Sequence, residues 1–283
     1  MSSPQLLGAL ALIACYFTGA LFGASLGYHR YLAHRSFEAR RWFIALCVLI
    51  GLPAGTPAQW AGNHRVHHKH VDTPQDPHSP HHGGLWWAHC GWYLGTRAWP
   101  LCALYALAGP LRALFDAFWR PWTNQAHVRH APDVLRDPLL GALSRPWVYT
   151  PLALLHWAGT GALSAWLVGE GWLWGWWLAS VLVYNAGDAV DSAGHVWGEN
   201  PYVGLSSSRA VNGRWLALLT FGDGWHANHH LFPGQARHGV LPGQVDVAYW
   251  VLRVLWRVGV VTRLGAVEVA PVGVWVGRVR GRG

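Results

Sequence analysis

Two stretches of the chain carry the same histidine spacing. "NHRVHHKH" places His64, His67 and His68 at i, i+3 and i+4, and "GDGWHANHHLFP" repeats the pattern at His226, His229 and His230. Residues three and four apart share one face of an α-helix, so each box presents three imidazoles together. His29 and His34 in "HRYLAH" are five apart, and His195 stands alone in "DSAGHVWG". Positions five apart on an α-helix lie about 140° from one another. That pair is therefore expected to address different ions unless its helix ends between them.

Nine imidazoles exceed the needs of one ion, since four ligands satisfy a tetrahedral metal. They suit two ions, each with room for an exogenous ligand. Neutral imidazole binds iron, copper, nickel and zinc alike. Zinc offers no redox chemistry, and the metalloprotease pattern HExxH is absent. No Gly-rich nucleotide loop is present either. Of the other histidines, His156 reads as a packing residue, and His70, His81, His82, His127, His130 and His238 read as facing solvent or backing the ligands. His78 and His89 flank "DPHSPHHGGLWWAHCGW" and are open to either role.

The elements that must bring these groups together are apolar. Hydrophobic residues make up 52% of the chain, charged residues 12%, and there are 21 tryptophans. Soluble domains carry about twice that charged share. The expected fold is an all-α integral membrane protein, a single domain over 1–283, whose transmembrane helices bear a cytoplasmic helical cap with the dimetal site. Spans are expected at about 6–28, 148–168 and 172–190, the last two forming a hairpin with tryptophans at its turn. The 42–60 segment is apolar, but Pro53, Gly55 and Pro57 interrupt it, and it is not expected to cross. "LCALYALAGPLRALFDAFW" reads as an amphipathic helix on the membrane surface.

Charge orients this arrangement. All 21 Lys and Arg residues fall within 30–145 or 209–282. By the positive-inside rule both regions face the cytoplasm, and the four histidine groups converge on that side. The formal charge of +8 does not point to nucleic acid, because no basic stripe accompanies a nucleic-acid motif. Cys15, Cys47, Cys90 and Cys102 show no CxxC pairing, so neither a disulfide framework nor a cysteine zinc site is expected. The N-terminus lacks the positive region of a cleavable signal peptide.

Together "GYHRYLAHRSF", "NHRVHHKHVDTPQDPHSP", "GHVWGENPY" and "GDGWHANHHLFP" resemble the boxes of the membrane-bound fatty acyl desaturases, in particular bacterial relatives of stearoyl-CoA desaturase. The resemblance runs from about Gly27 to Val260. It implies a di-iron, dioxygen-dependent enzyme that inserts a double bond into a fatty acyl chain. It makes metal ligands of His29, His34, His64, His67, His68, His195, His226, His229 and His230. It places Trp60 in the wall of the acyl tunnel. Asp191 stands where the family has an asparagine that holds a metal-bound water, so it is expected to hold that water, to reach the metal directly, or to be a helix-end carboxylate facing solvent.

Further departures concern the partners. Gly62 and Asn63 replace the arginine and aspartate of animal acyl-CoA enzymes, which leaves acyl-CoA, acyl carrier protein and acyl-lipid all open as substrates. No cytochrome b-type domain is evident, so electrons are expected from a separate ferredoxin, or from a cytochrome with its reductase. A hydroxylase or acetylenase of the same histidine-box superfamily is the competing chemistry. A metal transporter or haem protein would need ligands inside the spans, where only His156 lies.

Overall fold

The computed structural model describes residues 3–266. Helix α1 (Ser3–Gly19) runs without a break into Ala20–Ala33, which is wound as a π-helix. A short strand β1 (Phe37–Ala39) reverses the chain. Helix α2 (Arg41–Ile50) then packs back along the π-helix, with Phe43 edge-on to Phe22. It stops after ten residues, and a 3-10 turn at Leu52–Ala54 leads into α3 (Pro57–His70), which carries the first box. Pro57 starts α3 where its missing N–H costs nothing.

The segment expected to be one amphipathic surface helix is instead two. Helices α4 (Trp99–Leu107) and α5 (Pro110–Trp119) meet at a 112° bend. Gly109 supplies the positive φ of 56° that the bend requires, and Pro110 restarts the helix. The bend docks against the long helices: Trp177 Nε1 donates to Leu107 O at 2.6 Å, and Trp157 Nε1 donates to Pro110 O at 3.0 Å. Its outer face exposes Leu104, Leu107, Leu111 and Phe118, while Arg112 and Asp116 turn inward.

Two helical runs are long and apolar enough to cross a membrane, Ser3–Ala33 and Pro146–His195. The second is doubled on itself as α6 (Pro146–Val168) and α7 (Trp172–Asp191), reversing at Gly169 with φ 61°. Trp157 and Trp176 meet across this hairpin at 5.4 Å between ring centroids. Helix α1 packs on both arms, and Trp176 Nε1 donates to Tyr16 Oη at 3.0 Å. After α7 come α8 (His226–Leu231), α9 (Val247–Arg257) and β2 (Val261–Leu264). Strand β2 pairs antiparallel with β1, the one small ribbon among the described residues and an exception to the all-helical expectation.

Candidate metal centre

The nine histidines sort into two clusters, and the sorting cuts across the boxes. His29, His34, His64 and His229 bring ligand atoms within 4.8 Å of one another, and so do His67, His195, His226 and His230. His68 joins the first cluster, with its Nε2 3.1 Å from His64 Nε2 and 2.9 Å from His229 Nε2. In each HxxHH box the i and i+4 imidazoles go to one cluster and the i+3 imidazole to the other. The α3 box gives its pair to the first cluster and the α8 box gives its pair to the second. His68 and His230 stack between them, 4.3 Å apart and 16° from parallel.

His29 and His34 do not diverge as the α-helical rule expects. They sit at the end of the π-helix, where His34 N–H bonds to His29 O, an i to i+5 link. Residues five apart then stack on one face. Both rings enter the same cluster.

Three carboxylates orient histidines of the two clusters from behind. Nδ1 of His29 lies 3.1 Å from Asp223, Nδ1 of His67 2.9 Å from Asp76, and Nδ1 of His195 3.1 Å from Asp72. A carboxylate can only accept, so each Nδ1 carries the proton and each Nε2 presents a bare lone pair. Burial, reinforced by neighbouring imidazoles, holds His34, His64, His67, His68, His226, His229 and His230 well below the usual histidine pKa. These rings are neutral. Neutral imidazoles with Nε2 atoms 2.8–3.3 Å apart crowd lone pairs together, which a cation relieves. The donor set therefore fits two metal ions.

Burial alone would raise Asp223, but His29 and the fully buried Arg30 beside it hold it well below the carboxylate range. Burial likewise acts against Asp72, and the hydrogen bond from His195 overcomes it, bringing Asp72 down to about 2. Arg30 spans Asp223 and Asp246 at 3.0 and 3.1 Å, locking α9 to the metal centre. Sequence reading passed over these acids. Their signal was adjacency: Asp72 and Asp76 follow the α3 box directly, and Asp223 precedes the α8 box by three residues.

The remaining histidines divide by contact. His78 stacks on His67 at 4.2 Å, and His238 Nδ1 lies 3.2 Å from Asp223, so both back the clusters. His89 binds Asn185 and Ser192 on either side of Asp188, away from both clusters. Asp191 ends α7, and the chain breaks into a 3-10 turn before His195, so the two do not share a helical face. Asp191 makes no hydrogen bond or ion pair among the described residues.

A cavity of about 270 Å³ opens from the first cluster. His29, His64 and Asp191 are among its polar lining, and Leu12, Leu163 and Trp176, from α1, α6 and α7, are among its apolar lining. Trp60 lines it and stacks on His64 at 5.1 Å and 11°. His156 also faces this space.

A sequence model of the fatty acid desaturase family matches residues 7–263. The chain belongs to the fatty acid desaturase family. It is 33% identical over 261 residues to the sn-1 stearoyl-lipid 9-desaturase of Anabaena variabilis, covering 90% of this chain and 82% of that protein. Against the sn-2 palmitoyl-lipid 9-desaturase of Nostoc sp. (strain 36), identity is 31% over 271 residues, covering 93% and 84%. The acyl-CoA C20 Delta5-desaturase of Anemone leveillei is 31% identical over 252 residues, covering 88% and 71%. The enzyme class of this desaturase is thus that of the fatty acyl desaturases.

Proposed function

We propose that the two clusters hold a pair of iron ions, and that the enzyme removes two hydrogens from adjacent methylenes of a fatty acyl chain lying in the cavity. The balance is one –CH2–CH2– unit, one dioxygen, two electrons and two protons giving –CH=CH– and two waters. When bound, the iron pair supplies the oxidation, because an unactivated C–H bond offers nothing to side-chain acids and bases. The observation that carries this reading is the opening of an apolar cavity onto His29 and His64. Five histidines (His29, His34, His64, His68 and His229) would hold one ion, and four (His67, His195, His226 and His230) the other. Trp60 and the small residues Ala20 and Ala24 present an apolar wall, where each buried methylene gains about 0.8 kcal/mol. That burial also excludes water from the reacting carbons.

Topology and carrier follow from further residues. On this reading the metal centre lies on the cytoplasmic face of a bacterial inner membrane, with α1, α6 and α7 crossing and α2 too short to cross, and the one-sided arginines support that orientation. Arg278, Arg280 and Arg282 share in that bias and lie outside the described residues. The substrate is an acyl-lipid rather than acyl-CoA. A Cβ at Gly62 would stand 2.3 Å from His127 O, and Asn63 Oδ1 accepts from His127 at 2.7 Å. The surface where animal acyl-CoA enzymes carry an arginine and aspartate is closed here by 125–130. Electrons come from a separate ferredoxin or cytochrome.

The test is to incubate purified, iron-loaded protein with ferredoxin, its reductase, dioxygen and acyl-lipid, acyl-CoA or acyl carrier protein substrates. A product two mass units lighter carries the reading. A product sixteen units heavier identifies a hydroxylase instead, and one four units lighter an acetylenase.

A further inference from the structure

The cavity wall has a polar stretch that the metal centre does not use. Arg120, just past α5, is only 7% exposed and lines the cavity. Its guanidinium lies over the ring of Tyr93 at 3.9 Å, and Nη2 donates to Ala54 O. Nε and Nη1 are buried with no hydrogen-bond partner. Arg112, on the same wall, donates to Asp188 at 2.7 Å and to Tyr93 Oη at 2.6 Å; its Nε also lacks a hydrogen-bond partner but faces the Asp116 carboxylate at 3.7 Å. Two guanidinium nitrogens left bare in an apolar setting are costly unless something enters to accept from them.

Resting on the acyl substrate proposed above, we propose that Arg120 is a binding subsite for the carbonyl oxygen of the substrate's acyl linkage. Charge selects a neutral acceptor. Arg112 pairs with both Asp188 and Asp116, Asp116 also acts electrostatically on Arg120, and Asp191 adds a further carboxyl to the same cavity, so the two guanidinium groups already face as many carboxylates. An incoming anion would leave negative charge unpaired in an apolar site. Placement agrees with a linkage several methylenes from the reacting carbons. Gln59 donates to Arg120 O at 2.7 Å, and Gln59 is five residues before His64 on α3, about 7.5 Å along that helix. Arg120 thus sets where along the chain the metals act.

The experiment is competition binding on purified protein in nanodiscs, without an electron donor so that nothing turns over. Methyl palmitate, hexadecane and palmitate compete against a radiolabelled acyl ligand. Wild type should prefer methyl palmitate over hexadecane by roughly ten- to hundredfold, the worth of a hydrogen bond to a charged donor. Arg120→Met should erase that preference, leave hexadecane affinity unchanged and keep both metals. Arg120→Gln, which retains an amide donor, should fall between, and it carries the comparison should Arg120→Met not fold. Equal affinities in wild type, or an ester preference undiminished in the variants, would overturn the subsite and leave water as the partner of Arg120. Palmitate binding far tighter than its methyl ester would show an anion site instead. An acyl glycerolipid and an S-acyl pantetheine of the same chain length tell ester from thioester. Double-bond formation by wild type is a separate measurement, and its absence would sink the desaturation reading while leaving this comparison intact.

Discussion

His34 donates its backbone N–H to the carbonyl of His29 at 3.2 Å, and the two rings lie 5.1 Å apart in one cluster. This single i to i+5 bond explains how a five-residue spacing brings both rings into one cluster.

The division of ligands makes a sharp expectation for metal content. His29→Ala, His34→Ala and the pair combined should each lose the same one of two ions. His34→Ala combined with His195→Ala should lose both. Metal analysis with Mössbauer spectroscopy of iron-loaded variants reads this directly. Loss of both ions from His34→Ala alone would mean the clusters are not separate sites.

Removing a carboxylate behind a ligand should weaken metal binding without deleting a ligand. Asp76→Asn and Asp223→Asn are each expected to lower metal affinity about 10–100-fold, through His67 and His29 respectively. Chelator titration checks this. Asp223→Asn should also lower thermal stability, because it strips a buried partner from Arg30, whereas Asp76→Asn touches no arginine.

Asp191 faces the cavity beside His29 and His64. If it holds a metal-bound water, Asp191→Asn should keep both irons and much of the activity, and Asp191→Ala should lose at least about tenfold. If it binds metal directly, Asn should fail as well and iron content should fall. Full activity in Asp191→Ala would assign it to neither role.

Membrane orientation can be read with tags. A reporter fused after Gly283 should be cytoplasmic and a tag at Met1 external, following the arginine distribution. An N-terminal tag protected inside the cell would rule out three crossings.

Gly62 allows a direct test of carrier choice. Gly62→Arg should lower the melting temperature by several degrees, because the side chain must displace the backbone of His127. It should not confer dependence on acyl-CoA. Wild-type turnover confined to acyl-CoA, with none on acyl-lipid, would overturn the lipid assignment.

The chemistry was legible in the sequence because it depends on residue type and short spacing. Box histidines at i, i+3 and i+4 announce a shared face whatever the rest of the chain does. Length and apolarity likewise announce Ser3–Ala33 and the α6–α7 hairpin. What spacing alone could not decide is which cluster each imidazole joins, since His64, His67 and His68 share a face and part company only against α8. The π-helical winding of Ala20–Ala33 was equally hidden, because it reflects a hydrogen-bond register and not a composition. The break between Asp191 and His195 and the bare nitrogens of Arg120 belong to the same class. Each is fixed by packing between segments distant in sequence, and packing of that kind is settled only when the chain is folded.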